Sequence, residues 1–224
     1  MTIHEAFKSI SHDDARKHIE DYFAPSPSFP GVGSYTGSHF ESLEGGRNEP
    51  NRITAEDLLA VQTLSVTVPA RAAVAILGDL SDEISTLLEQ VPMNRPLSSL
   101  TDEDFSSMLG NGSPALQLWD LLRRNGRDDH GQRKQRWNVG PTTASKIMAR
   151  KRPQLIPIED SIVDRVINRG SQNSWRMWWE ELRADDVLER RAEEMRDDTG
   201  HRELSVLRTL DIVLWKHGRA PWDL

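Results

Sequence analysis

Residues 136–163 are the segment of this chain best suited to carry out chemistry. They combine a turn, a helix start and the acid Asp160, which directly follows Glu159. Asn138 tolerates a left-handed backbone, Gly140 offers the freedom that a tight turn needs, and Pro141 suits the first position of a helix. The amides left free at such a helix start, together with the helix dipole, favour an anion such as a phosphate. Asp160 adds a carboxylate, which can stabilise a developing positive charge or orient a water molecule.

Asp160 also has a purely structural interpretation. An aspartate directly before Ser161-Ile162-Val163 is a good helix N-cap, and capping does not exclude catalysis. Its neighbour Glu159 is not expected to act as a second acid, because adjacent side chains on an extended segment point in opposite directions. Lys146, one helical turn after Thr142, is expected to contact a phosphate rather than act as a nucleophile, since nothing nearby suggests a lowered pKa.

The charge distribution around this segment favours a nucleic-acid partner. Residues 123–152 contain ten Lys and Arg against two Asp, a net charge of +8, whereas the whole chain carries −7 and the remainder therefore −15. A basic stripe on an acidic body suits a protein that meets DNA with one face. A solvated charged face without a ligand is the alternative at this point.

The order of these residues resembles that of the helix-hairpin-helix DNA glycosylases, a superfamily that includes endonuclease III and the adenine glycosylases. Val139-Gly140 followed by Thr143-Ala144 is similar to the hairpin pattern of the superfamily. Asp160 falls at the spacing of its catalytic aspartate. Beyond the acid, Arg165-Val166 and Asn168-Arg169 resemble the run that follows it in endonuclease III.

The resemblance covers roughly residues 136–169 and, more vaguely, the helix after Thr54. It implies an all-α, two-lobed glycosylase-like fold, DNA as the partner and Asp160 as the catalytic residue. It also allows a monovalent cation at the hairpin. The residues that the resemblance implies for binding of the DNA backbone are Asn138, Val139, Gly140, Thr142, Thr143, Lys146 and Arg150.

Three departures from the superfamily pattern narrow the expected chemistry. Asn138 stands where the first hairpin glycine is expected, which a left-handed Asn can accommodate. Thr142 stands where the bifunctional members keep a Schiff-base lysine, so a monofunctional, water-dependent reaction without lyase activity is implied. The chain has no cysteine, which excludes a thiol nucleophile, cysteine-ligated zinc and the iron–sulfur cluster of some members. We predict no metal site.

The elements that must position these residues are predicted to be helices. A Ser or Thr followed three residues later by an acid indicates helix starts at Ser11, Thr54 and Thr101, and Ser113-Pro114 indicates another. The last helix is expected to end near Gly218. Because no stretch alternates apolar and polar residues as a half-buried strand does, the sequence predicts an all-α fold.

We expect two helical lobes. Residues 54–170 form one lobe, with the hairpin and the acid, and residues 1–24 with 171–224 form the other. Residues 25–53 are a long loop rich in Gly, Pro and Ser. The stripe Trp175, Trp178, Trp179 and Leu182 has the spacing of a buried helix face and is predicted to be core.

Long loops are usually functional or disordered, and the aromatic residues of this loop favour function. A short run in it, Phe29-Pro30-Gly31-Val32-Gly33, is interpreted as a turn. Tyr35 and Phe40, together with Gln62 outside the loop, are candidates for a base pocket or for the wedge that replaces a flipped base.

Together these observations predict a DNA N-glycosylase that flips and excises a damaged or modified base and leaves an abasic site. Repair of endogenous damage competes with antiviral defence against phage that carry hypermodified bases. The alternatives are a non-catalytic DNA-binding module, in which Asp160 is only a cap, and a protein-interaction scaffold. Because the sequence contains no signal peptide and no apolar stretch long enough for a membrane span, we expect a cytoplasmic protein with no membrane partner. We also expect it to be a monomer.

Overall fold

A computed structural model describes residues 2–43, 49–124, 132 and 136–219. These ranges contain α-helices, short 3-10 turns and connections but no β-strand, which confirms the predicted all-α class. The helices are α1 Ile3–Ser9, α2 His12–Phe23, α3 Ala55–Thr63, α4 Ala70–Leu77, α5 Ser81–Glu89, α6 Asp102–Leu109, α7 Pro114–Arg123, α8 Pro141–Lys151, α9 Ser161–Val166, α10 Ser174–Ala184, α11 Val187–Thr199 and α12 Val206–Gly218. Within the described ranges, no helix has the length and apolar character needed to cross a membrane.

Local capping explains where several of these helices begin. Thr54 and Thr101 each form a reciprocal capping box with the acid three residues later. Ser11 and Ser113 each accept a hydrogen bond from the backbone amide three residues later. The final helix ends at Gly218, so all five predicted boundaries are confirmed. Both partners of a cap lie within one turn, which is why sequence alone can place it.

The helices pack in two groups. In the first, α7 contacts α5, α6 and α8, and α3 contacts α4 and α8. In the second, α12 contacts α2, α9 and α11, and α11 also contacts α2. Buried apolar side chains from both groups form one continuous core in the described ranges. The predicted division into lobes at residues 54 and 170 stays a prediction.

The tryptophan stripe of α10 belongs to this core. Trp175, Trp178, Trp179 and Leu182 are all buried, which confirms the core interpretation. The indole N–H of Trp179 donates to the carbonyl of Leu100 at 3.0 Å, so its polar atom is satisfied inside the protein.

The described residues between α2 and α3, 24–43 and 49–54, are non-helical apart from a 3-10 turn at Thr36–His39. The predicted turn before it is confirmed, because the amide of Val32 donates to the carbonyl of Phe29 at 3.0 Å. The hydroxyl of Thr36 donates to the carbonyl of Thr63 at 2.7 Å, which ties the segment to the end of α3.

Of the connection that leads into α8, the structure describes residues 124, 132 and 136–140. Helix α7 ends at Arg123 and α8 begins at Pro141, so residues 124–140 join them. Where this connection is described, no helix runs directly into the turn before α8. The specific two-lobed helix-hairpin-helix fold stays a prediction.

Candidate functional site

A cleft of about 490 Å³ lies between α2, α8, α12 and the segment that leads into α9. Its volume is in the range in which proteins bind small ligands. The side chains that give its wall chemical character are Tyr22, Tyr35, Lys146, Asp160, Arg208 and Asp211. Residues far apart in the sequence therefore meet here, among them the predicted catalytic aspartate.

Asp160 lies on the cleft wall directly before α9, and its side chain is 19% exposed. Oδ1 accepts a hydrogen bond from the backbone amide of Ile162 at 2.9 Å, which confirms the predicted N-cap. Oδ2 lies 3.6 Å from Nζ of Lys146. The cap thus occupies one carboxylate oxygen and leaves the other beside a cation at the cleft.

Helix α8 holds the backbone that carries Asp160. The hydroxyl of Ser145 donates to the carbonyl of Thr142 and accepts from the amide of Glu159, both at 2.9 Å. The carboxylate of Glu159 lies 3.8 Å from Arg169, and burial raises its pKa. Among the described residues, Glu159 is not part of the cleft wall. The side chain of Glu159 therefore lies outside the cleft that Asp160 lines, as expected for adjacent side chains on an extended backbone.

Lys146 is buried, which argues against its expected contact with a DNA phosphate, a contact that stays a prediction. Its side chain is 4% exposed, and Nζ donates to the carbonyl of Leu64 at 2.9 Å. Burial lowers its pKa, and the negative charges of Asp160 and Asp211 oppose that shift. The expectation that nothing lowers this pKa is therefore wrong. The ammonium group faces the interior of the cleft instead of the protein surface.

Arg208 and Asp211, three residues apart on α12, form a buried ion pair at 2.6 Å. The guanidinium of Arg208 also donates to Glu41 at 2.8 Å and to the Tyr22 hydroxyl at 2.7 Å. Although burial opposes its charge, Tyr22, Glu41 and Asp211 raise the pKa of Arg208. Burial raises the pKa of Asp211 to about 6. A second carboxylate, with an environment unlike that of Asp160, therefore lines the same cleft.

Aromatic rings form another part of the wall. Tyr35 stacks on Tyr22 with ring centres 5.6 Å apart, and Trp215 meets Tyr35 edge-on at 5.5 Å. Nζ of Lys216 lies 4.6 Å from the centre of the Tyr35 ring. A Cβ at Gly37 would collide with the Tyr22 hydroxyl, so a glycine is required for this close approach.

The three side chains predicted for a pocket or wedge are in different environments. Tyr35 lines the cleft. Phe40 is 4% exposed, packs under the guanidinium groups of Arg150 and Arg208 and is not part of this cleft wall. This burial argues against a role as pocket residue or wedge, which stays a prediction. Gln62 is exposed on α3 but is not part of the cleft wall, and its role stays a prediction.

The turn before α8 is built differently from the sequence-based expectation. Asn138 adopts φ 64°, which confirms its predicted left-handed backbone. Gly140 adopts φ −85° and ψ 177°, so the idea that it supplies the special freedom of the turn is wrong. In the described residues, no side chain caps the start of α8. The side chains of Val139 and Thr143 are buried, whereas Thr142 lines the cleft.

Much of the predicted basic stripe is internal. Its buried members are Lys146, Lys151 and Arg152, and the side chain of Arg150 is 4% exposed. Arg150 lies 3.2 Å from Asp57 and donates to the carbonyls of Phe40 and Leu43. These internal partners argue against its expected contact with the DNA backbone, which stays a prediction. Arg127, Arg133 and Lys134 lie outside the described residues.

Sequence reasoning missed Tyr22, Arg208 and Asp211. The one available signal was the presence of two charged residues, three apart, inside the apolar run of α12. Such residues are rarely buried unless they are paired. Nothing in the sequence near Tyr22 indicated that its hydroxyl meets Arg208.

A family model described as "Family of unknown function (DUF6308)" matches residues 15–218. The match extends from α2 to the end of α12 and so includes every helix that forms the cleft. No curated protein and no solved structure is significantly similar to the chain.

Proposed function

We propose that this chain, which belongs to DUF6308, a family of unknown function, is a monofunctional DNA glycosylase. It flips a damaged or modified base into the cleft, hydrolyses the N-glycosidic bond and leaves an abasic site. The observation that carries the proposal is the position of Asp160, whose carboxylate lines a cleft of about 490 Å³ that is reached from solvent.

The start of α8 supports DNA as the partner. Its first amides have no side-chain cap in the described residues, and the helix dipole adds a partial positive charge at this end. A DNA phosphate is the kind of anion that such a helix start binds. Thr142 in the first turn of α8 and Asp160 line the same cleft, so a strand anchored at this helix start lies next to the carboxylate.

The chemistry follows from the charge that develops on the sugar. As the bond between C1′ and the base nitrogen breaks, positive charge builds on the deoxyribose, and the Asp160 carboxylate stabilises it. A water molecule adds its hydroxyl to C1′, and its proton passes through Asp160 to solvent. The products are the free base and an abasic site with an intact strand.

The aromatic wall suits the extruded base. Tyr35 and Trp215 line the cleft, so an extruded base would lie against aromatic side chains, which bind bases of any sequence. The cleft volume leaves room for a base with a bulky substituent, so hypermodified phage bases are included in the proposal beside damaged bases.

The test is base excision from duplexes that carry a panel of damaged and modified bases, followed by alkaline cleavage of abasic sites. Asn caps a helix as well as Asp, so Asp160→Asn should keep the fold while it lowers the excision rate at least about 100-fold. Asp13→Asn, at an exposed position in the first turn of α2, controls for the loss of one charge. No excision by the wild-type protein, or equal excision by Asp160→Asn, contradicts the proposal.

Plating separates the two biological settings. If the protein acts in antiviral defence, cells that express the wild-type protein should yield fewer plaques with phage that carry modified bases than with phage that have ordinary genomes. Equal plaque counts with retained excision activity would favour repair.

The second candidate is a DNA-binding module without catalysis. The hydrogen bond from the Ile162 amide to Asp160 favours it, because a cap alone accounts for an aspartate at this position. This alternative predicts DNA affinity that is sensitive to salt and unchanged in Asp160→Asn, with no excision by either protein.

A further inference from the structure

A glycosylase cleft needs a proton for the base as well as an anion for the sugar, and the two tasks require different carboxyl groups. Asp211 lies on α12, is 5% exposed and lines the same cleft as Asp160. Lys146 lines the same cleft, with its Nζ 3.6 Å from Asp160, and the negative charges of both carboxylates act on its ammonium group.

The two carboxylates have contrasting environments. Asp160 accepts a backbone amide and lies beside an ammonium group, contacts that stabilise a negative charge. Asp211 is buried, and burial raises its pKa to about 6, with Asp160 acting in the same direction and Arg208 and Lys146 against it. Divergent environments of two acids in one site are the usual way in which proteins assign the roles of stabilising anion and proton donor.

The position of Asp211 is fixed by its partner. Arg208 donates to Asp211 at 2.6 Å, and the other nitrogens of its guanidinium donate to Glu41 at 2.8 Å and to the Tyr22 hydroxyl at 2.7 Å. The guanidinium therefore links α12 to α2 and to the segment before α3. Such a clamp holds the carboxyl group of Asp211 at one place on the cleft wall.

We propose that Asp211 is the general acid that protonates the departing base, an inference that rests on the proposed glycosylase function. The bond between C1′ and the base nitrogen breaks, the electron pair goes to the base, and that nitrogen takes the proton of Asp211. Water supplies the hydroxyl of the new abasic site through Asp160, and Asp211 regains its proton from solvent. Two other acids lie nearby, but Glu159 faces Arg169 and Glu41 pairs with Arg208, and neither is part of this cleft wall in the described ranges.

The experiment compares two substrates in single-turnover excision across pH. One base leaves only when it is protonated, and the other carries electron-withdrawing substituents and leaves as a stable anion. For the wild-type protein, the rate with the first base should fall about tenfold per pH unit above the pKa of Asp211, because the required form is the protonated one. The rate with the second base should change little over the same range.

Asp211→Asn should slow excision of the first base at least about 100-fold and of the second less than about tenfold, and it should abolish the pH dependence. Asp211→Glu should restore part of the difference between the two bases. Equal slowing of both bases, or a wild-type pH profile that is the same for both, overturns the assignment of Asp211. The wild-type comparison does not depend on the folding of any variant.

The failure of this inference differs from that of the proposed function. The two bases are chosen from those that the wild-type protein excises in the panel, and a wild-type protein that excises no base of the panel contradicts the glycosylase proposal and this inference together. A wild-type protein that excises both bases without the predicted dependence on the leaving base contradicts the role of Asp211 alone.

Discussion

Lys146 is the residue at which sequence and structure differ most. In the sequence it is a helix cation near a predicted phosphate site, and this context favours a surface contact. In the structure its amine is satisfied by the carbonyl of Leu64 and by Asp160, which offset part of the cost of burying a charge. The partners are 82 and 14 residues away, a distance that helix periodicity does not reveal.

This placement predicts how DNA binding should respond to salt. Each phosphate contact contributes about −0.9 to the slope of log affinity against log salt concentration. Lys146→Met should therefore leave the slope unchanged, because the buried amine contacts no phosphate. The measurement is fluorescence anisotropy with a labelled duplex at several salt concentrations.

Arg136→Met is the matched control, since Arg136 is exposed in the connection just before α8. Loss of a phosphate contact there should make the slope shallower by about one. A slope that becomes shallower by about one in Lys146→Met would show that the lysine contacts a phosphate and would contradict the burial of its amine against Leu64 and Asp160.

At the scale of elements, the turn before α8 shows which features are local. The left-handed backbone of Asn138 was predictable, because few residue types adopt it. The role of Gly140 was not, since its backbone is extended and a Cβ there would meet nothing within 4 Å.

Two substitutions test this turn. Asn138→Ala should lower the free energy of unfolding by about 1 kcal/mol, because alanine is strained at positive φ, whereas Asn138→Gly should have little effect. Urea unfolding of both variants, with Gly140→Ala as a third, provides the measurement. A large loss in Gly140→Ala together with none in Asn138→Ala would reverse the roles that the structure gives to these residues.

The end of α8 explains why charge patterning failed. Arg150 and Lys151 neutralise the buried carboxylate of Asp57, and Arg152 donates to backbone carbonyls of the neighbouring chain segments. The sequence of a run of Lys and Arg does not show whether the side chains are exposed to solvent or bind buried acceptors. Only the packing of α3 against α8 decides between the two.

At the scale of the whole molecule, the helices and their starts could be predicted because caps and apolar stripes depend on neighbours within a turn or two. Asp160 could be singled out because its distance in sequence from the turn before α8 resembles that of the catalytic aspartate in helix-hairpin-helix glycosylases. Tyr35, Thr142 and Lys146 were also among the predicted site residues and line the cleft. Tyr22, Arg208 and Asp211 could not be predicted, since α2 and α12 meet the other walls only after folding. The wall chemistry is a product of tertiary packing.

The central claim is that Asp160 stabilises a cationic sugar at the cleft, and it can be measured without knowledge of the base. Two duplexes are compared, each with one deoxyribose replaced, in one by a pyrrolidine ring that is cationic at neutral pH and in the other by a neutral tetrahydrofuran ring. We predict that the wild-type protein binds the cationic duplex at least about tenfold more tightly, as expected for a transition-state mimic. Asp160→Asn should lose this preference and Asp13→Asn should keep it. Equal affinity of the wild-type protein for the two duplexes, or an unchanged preference in Asp160→Asn, would contradict the claim.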